Sequence, residues 1–201
     1  LYICKYVYMA KIILITHQKG GVGKSTLTFN MALAIKNEVK VCIIDLDLQG
    51  SLWRSRSAFD IPVFSSDQMN EVLKSDFDFI FIDTPPYLNE KLPELSRLAN
   101  VIVIPTKTGV YDLLAIEDTI SIIKDSKAEN KALIVFNMVK ANTTLTNEMH
   151  EAMEQHKIPI AKNYISDLVA FTRSAINSEI TDQKAQLQIE NLTREVLEKI
   201  N

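Results

Sequence analysis

Cysteine is almost absent from this chain: Cys4 and Cys42 are the only two in 201 residues. That is too few for a disulfide framework or a cysteine-rich metal site. Glycine is scarce as well, five in all, and no apolar stretch approaches the roughly 20 residues that a membrane-spanning helix needs. Positive charge is not in excess, with 22 lysines and arginines against 25 aspartates and glutamates. This balance argues against a globally basic nucleic-acid binder, although a local basic patch remains compatible with it. No Gly/Ser-rich linker, repeat or low-complexity segment divides the chain. With 47% hydrophobic and 23% charged residues, the composition excludes collagen-like, coiled-coil and disordered classes. One domain in a reduced, cytoplasmic setting is expected.

Residues 1–8 sit awkwardly ahead of Met9, and their short apolar run is interrupted by Lys5, which excludes a signal peptide. Translation is expected to start at Met9, with 1–8 an upstream leader and 9–201 a single domain. The other reading is an edge strand, because Tyr6, Val7 and Tyr8 favour β structure. From Lys11 short apolar runs alternate with longer amphipathic stretches. Buried strands are expected over residues 12–16, 39–46, 77–83, 101–105 and 133–138, with a weaker sixth over 160–165. Helices are expected over 24–37, 68–74, 92–99, 112–124, 144–156, 170–177 and 184–200. Apolar strands bounded by helices imply an α/β fold, a three-layer, doubly wound, mostly parallel sheet.

Three of the five glycines, Gly20, Gly21 and Gly23, fall in the segment from His17 to Thr26, between the first strand and the first helix. Glycines there let backbone N–H groups converge on a phosphate, and the following helix presents its positive end. Lys24 would reach the β- and γ-phosphates, the Ser25 hydroxyl would coordinate Mg²⁺, and Thr26 would touch the α-phosphate. A plain glycine turn would not need the adjacent Gly23-Lys24-Ser25-Thr26. Two further apolar strands end in carboxylates. Alternation puts Asp45 and Asp47 on one side at the carboxyl end of the second strand, where ligands of open α/β sheets sit. Capping of the next helix is the alternative use of such aspartates. The run Phe77–Asp83 leads into Thr84-Pro85-Pro86, and Asp83 would hold Mg²⁺ through water, as suits a hard cation.

The run Lys19-Gly20-Gly21-Val22-Gly23-Lys24-Ser25, with a second lysine ahead of the glycines, resembles the deviant Walker-A P-loop ATPases, specifically the ParA/MinD partitioning and positioning family. The segment Asp45-Leu46-Asp47-Leu48-Gln49-Gly50 is similar to that family's Asp-x-Asp-Pro-Gln-Gly, with Leu48 in place of proline. A third stretch, Ile165 to Arg173, resembles its late Ile-x-Asp-x-Val-Ala-Phe, and the likeness extends from Ala10 to about Ile180. The resemblance implies that Lys19 reaches across a nucleotide-sandwich dimer to the partner's ATP. It also implies that Asp47 positions the attacking water and that Asp45 supports the Mg²⁺ shell. Asn137 would contact adenine, although an amide that merely terminates a strand is the plain alternative.

The same resemblance implies a Mg·ATP-dependent homodimer, nonspecific double-stranded DNA, nucleoid association in the ATP state and a ParB-like partner protein that stimulates slow hydrolysis. DNA contacts would come from Lys157, Lys162, Arg173, Lys184 or Arg194, with Arg173 and Lys184 preferred. The last helical stretch carries Glu190, Glu195 and Glu198 against Arg194 and Lys199. A membrane-surface helix should be basic, so this one is expected to pack, and no stable membrane association is expected. Three alternatives stand beside this reading: a MinD-like membrane-positioning ATPase, an ATP-dependent ligase or synthetase on the same scaffold, and a degenerate nucleotide-binding module, against which intact Lys24, Asp47 and Asp83 argue.

Overall fold

The computed structural model describes residues 9–47, 50–88, 90–140 and 151–200, with Val110 and Leu113 described for their backbone. The expectations for residues 1–8 and for most of the helix over 144–156 lie outside these residues; its tail, 151–154, is helical. Six strands form one sheet in the order β3-β2-β4-β1-β5-β6. They are β1 (Lys11–Ile15), β2 (Val41–Asp45), β3 (Val63–Ser65), β4 (Phe79–Asp83), β5 (Val101–Thr106) and β6 (Ala132–Phe136). Every pairing is parallel, as helical crossovers demand.

Side-chain alternation divides the sheet into two cores. Ile13, Ile15, Ile43, Phe81 and Val103 face one, and Leu14, Ile44, Ile82, Ile102 and Ile134 face the other. The first core is covered by α1 (Lys24–Ile35), α6 (Val169–Asn177) and α7 (Gln183–Glu198), and α2 (Ser51–Ser55) adds Leu52 to it. The second is covered by α3 (Met69–Val72), α4 (Leu92–Leu98) and α5 (Val110–Asp125). This is the expected three-layer architecture, with the sheet parallel throughout.

Helix α1 is buried on nearly all sides, from Leu27 through Leu33, because it lies on the sheet and is itself overlaid by α6 and α7. The Asn30 amide donates to Thr26 O at 2.8 Å and to Phe171 O at 3.0 Å, which ties α1 to α6. Helix α7 starts at Asp182, whose carboxylate accepts the Ala185 N–H at 2.8 Å, and packs through Ala185, Ile189, Leu192 and Val196. Its acidic residues lie off that stripe.

Three local expectations are corrected. The sixth strand is not 160–165, which meets β6 at one isolated bridge, Ile134 to Ile160, with a second bridge just beyond, Val139 to Ser166. Pro159 has no N–H to give a ladder, and the backbone N–H groups of Lys162 and Asn163 donate instead to the Glu195 carboxylate at 2.7 and 3.0 Å. The edge strand is β3, only three residues long, and α2 is likewise a short element that the hydrophobic pattern did not mark. The helix expected over 68–74 is a 3-10 turn, Ser66–Gln68, running into α3.

Candidate nucleotide site

The loop between β1 and α1 is bent by Gly21 and Gly23, at φ 71° and 86°. At Gly23 a Cβ would also lie 2.4 Å from Asn137 Nδ2, so both conformation and space require glycine there. The loop is stitched to three distant parts of the fold and to itself. The Gln18 N–H donates to Thr119 Oγ1 of α5 at 3.0 Å, and Gln18 O accepts the Tyr87 N–H at 3.1 Å. Asn137, just after β6, donates to Val22 O at 2.8 Å. His17 accepts the Lys19 N–H on Nδ1 at 2.9 Å. Helix α1 then begins with no acidic residue in its first turn and no side-chain cap, leaving its positive end toward the loop.

Lys24 folds back over the loop, its ammonium donating to Lys19 O at 3.2 Å. Burial holds its pKa below the usual lysine value, while Asp83 and Asp47 oppose that shift. The register places Asp45 and Asp83 side by side at the carboxyl edge, both on the α1 face. Asp83 is fully buried, and burial pushes its carboxyl up to about 7 despite a hydrogen bond from Ser25. Thr28 donates to Asp83 Oδ1 at 3.3 Å from the turn after Ser25. A buried carboxylate beside a hydroxyl and next to a phosphate-sized loop suits Mg²⁺, which takes one or two carboxylates and completes its shell with phosphate and water. Asp83 and Ser25 are the residues of this chain that fit such an ion.

Asp45 is employed differently. Its carboxylate accepts the N–H groups of Asp47 and Trp53, both at 3.0 Å, and that of Leu52. It thus caps the first turn of α2, which is the alternative that strand-end aspartates leave open. Asp47 is half-buried at the same edge, close enough to Lys24 and Asp45 to influence both electrostatically. Lys19 Nζ pairs with Asp112 Oδ1 at 2.6 Å, at the start of α5. Gly20 and Thr26 are exposed and Val22 is buried.

Beside the loop, a small cleft is lined by Thr26, Asn137, Met138, Ser166, Leu168 and Phe171 among others. Asn137 therefore both holds the loop and lines the cleft. Arg173 on α6, Lys184 and Arg194 on α7, and Lys157 and Lys162 are all exposed, on elements other than the loop. Sequence reasoning missed His17, Thr28, Asp112 and Thr119. A signal existed for three of them. Thr28 lies one turn beyond Lys24, and Asp112 and Thr119 are seven apart, hence on one face of α5.

A family model for the CobQ/CobB/MinD/ParA nucleotide binding domain matches residues 13–181. The chain is 29% identical over 161 residues to the Maintenance of carboxysome distribution protein A of Halothiobacillus neapolitanus, covering 73% of this chain and 74% of that protein. Its fold superposes on the ATP complex of McdA from Cyanothece with a TM-score of 0.76 at 14% identity, over 96% of each chain. It superposes on the MinD cell division protein of Aquifex aeolicus with a TM-score of 0.71 at 20% identity, over 94% of this chain and 97% of that one.

His17 offers a direct check on the loop. Burial, reinforced by the Lys24 charge, lowers its pKa from 6.5 to about 4, so the folded chain keeps the imidazole neutral and able to accept from Lys19. The unfolded chain binds a proton below 6.5 that the folded chain refuses until about 4. The contribution of the neutral ring is therefore complete above the unfolded value and lost as pH falls, by about 3 kcal/mol across that window. Asp83, with its raised pKa, acts in the opposite sense, so a paired comparison is needed. In urea unfolding, His17→Gln should close on wild type by about 3 kcal/mol as pH falls from about 7 to about 4. A pH-independent difference would remove His17 as the neutral acceptor.

Proposed function

The chain belongs to the CobQ/CobB/MinD/ParA nucleotide-binding domain family, and from that premise we propose that it is a positioning ATPase. Mg·ATP drives two copies into a dimer, and the dimer holds double-stranded DNA without regard to sequence. Slow hydrolysis, stimulated by a ParB-like or other cargo-bound protein, releases it, so that plasmid or chromosomal cargo is segregated or positioned.

Lys19 carries this reading. The loop already has its own phosphate lysine in Lys24, which is buried and folded over it. Lys19 is instead 36% exposed at the rim, paired with Asp112. An ion pair this open to water is worth about 1 kcal/mol or less. A phosphate on a facing subunit can therefore take the lysine at small cost, and gains a charge-assisted hydrogen bond.

In the ATP-bound dimer the loop N–H groups from Gly20 to Ser25, Lys24 and the α1 N-terminus hold the phosphates. Thr26 lies beside the α-phosphate, and Asn137 lies beside the base in the adjoining cleft. Ser25, and Asp83 through water, would hold Mg²⁺, with Asp45 supporting them, and the ion would supply positive charge against the phosphates. Asp47 orients a water whose oxygen bonds to the γ-phosphorus as the bond to the bridging oxygen breaks. The water's proton leaves with phosphate or solvent. Catalysis here is positioning and charge stabilisation, and Lys19 from the partner completes it.

The deciding experiment is anisotropy of a labelled duplex of arbitrary sequence with Mg·ATP, Mg·ADP and no nucleotide. Binding is expected with ATP alone, with an affinity that falls steeply as salt rises. Binding with no nucleotide, or retention of anionic vesicles in place of DNA, would count against it.

Removing the Lys24 ammonium takes away a charged hydrogen bond worth about 1.5–3 kcal/mol. Lys24→Ala should therefore weaken Mg·ATP binding about 10- to 100-fold in calorimetric titration.

Lys19→Ala should leave Mg·ATP affinity within about threefold of wild type, a change of roughly 0.6 kcal/mol. The same variant should stay monomeric in light scattering with ATP and lose hydrolysis and DNA retention. Asp47→Ala should form the dimer and fail to hydrolyse. An ATP-dependent Lys19→Ala dimer with normal turnover would leave Lys19 an ordinary surface lysine.

A further inference from the structure

The helix that follows β2 carries a basic and aromatic surface that the nucleotide chemistry does not use. Residues 50–59 contain Trp53, Arg54 and Arg56 and no acidic residue. Both arginines are exposed, and among the described residues neither pairs with a carboxylate. The nearest acid in sequence, Asp60, is already bridged to Lys36 at 3.1 Å. The Arg56 guanidinium lies 3.7 Å from the centre of the Trp53 ring and donates to Trp53 O at 2.8 Å. That stacking fixes the guanidinium's direction and leaves its remaining N–H groups to the outside.

Two connections extend this surface. The turn Arg56–Ala58 packs on α6, and Ser178 at the end of α6 donates to Ala58 O at 3.1 Å, so the element bearing exposed Arg173 adjoins the element bearing Arg56. In the other direction, Asp45 accepts the Trp53 N–H, which couples α2 to the strand end that also presents Asp47. The arginines are thus held on a short rigid element whose first turn is anchored at the nucleotide end of the sheet.

We infer that Trp53, Arg54 and Arg56, continued by Arg173 on α6, form a docking surface for the phosphate backbone of double-stranded DNA. The inference rests on the DNA-binding reading above and gives it a location. Exposed guanidinia on two adjoining elements match phosphates that repeat along a duplex, whereas a small anion is held by an enclosing cleft. Arginine contributes a planar fork that engages phosphate oxygens in pairs, and none of these side chains offers the base-reading geometry of a helix set in the major groove. Sequence-independent binding follows.

The test uses the full chain with Mg²⁺ and a slowly hydrolysed ATP analogue. Each phosphate contact contributes about 0.9 to the slope of log affinity against log salt. Arg54→Ala/Arg56→Ala should therefore lower that slope by about two and weaken a labelled duplex about 10- to 30-fold near 0.15 M salt. Nucleotide affinity and the ATP-dependent dimer should be unchanged, and Arg54→Lys/Arg56→Lys should regain most of the slope. Trp53 is the chain's single tryptophan, so its emission reports this surface alone, and duplex should quench it in wild type and less in the double alanine variant. If wild type binds duplex while the alanine variant keeps affinity and slope, the surface assignment fails and the DNA reading stands. If wild type binds nucleotide but no duplex, or binds anionic vesicles instead, the DNA reading itself fails and takes the surface with it.

Discussion

Asp83 closes the central strand β4 with 1% of its surface exposed, in register with Asp45 on β2 and Ile15 on β1. Burial raises its pKa to about 7, Asp45 pushes in the same direction, and Ser25, Lys24 and Thr28 pull against it. Between its ordinary value and about 7 the folded chain holds a proton that the unfolded chain releases, so this carboxyl favours the fold more in acid than at neutrality. An apolar residue would pack at this position more cheaply. A carboxylate kept here in spite of that penalty is suited to a hard divalent cation, whose charge favours the ionised form that burial opposes. The positions of α1, Ser25 and the loop make sense around that one group.

The loop's shape is set by the whole carboxyl edge and not by its glycines alone. Its polar backbone groups are taken by Thr119 of α5, by Tyr87 beyond β4 and by Asn137 beyond β6. Asp45 performs the same service for α2. The end of β2 and the segments after β4, β5 and β6 therefore hydrogen-bond to their neighbours, and the glycine loop, the Asp47 turn and the Tyr87 turn share one framework. Tyr87 sits at φ 59°, an unfavourable conformation for a residue with a Cβ, and its N–H bond to the loop helps to hold it there.

What was legible in the sequence was what local pattern controls. The loop glycines, the apolar strands with terminal carboxylates and the amphipathic α7 each announce themselves within a few residues. The long-range competition was not legible. Residues 160–165 look like a strand, but Glu195, over 30 positions away, claims the N–H groups of Lys162 and Asn163 in their middle, and only Ala161 and Ile165 donate to β6. Asp45 could be read as a ligand or as a cap, and only the placement of Trp53 N beneath its carboxylate shows the cap. His17 reads as an ordinary histidine until its burial and its bond to Lys19 are known. The short β3 is a strand because β2 offers it a partner, not because three residues specify one.

The two lysines of the loop are held in opposite ways. Lys24 is 7% exposed and held by a neutral carbonyl, and burial works against its charge. Together with Asp83 it gives one small volume a buried cation and a buried acid, each shifted away from its ionised form and, among the described residues, not joined in a direct ion pair. A phosphate chain relieves the first and a divalent cation the second, so the pair of ligands that this chemistry favours also stabilises the fold by linkage. Lys19 is in the reverse position. It is satisfied within its own subunit by Asp112, it is open to water, and it gains from leaving only when another anion is presented from outside. The proposed function uses that contrast: the buried lysine would serve nucleotide affinity, and the exposed one would respond to what faces the site.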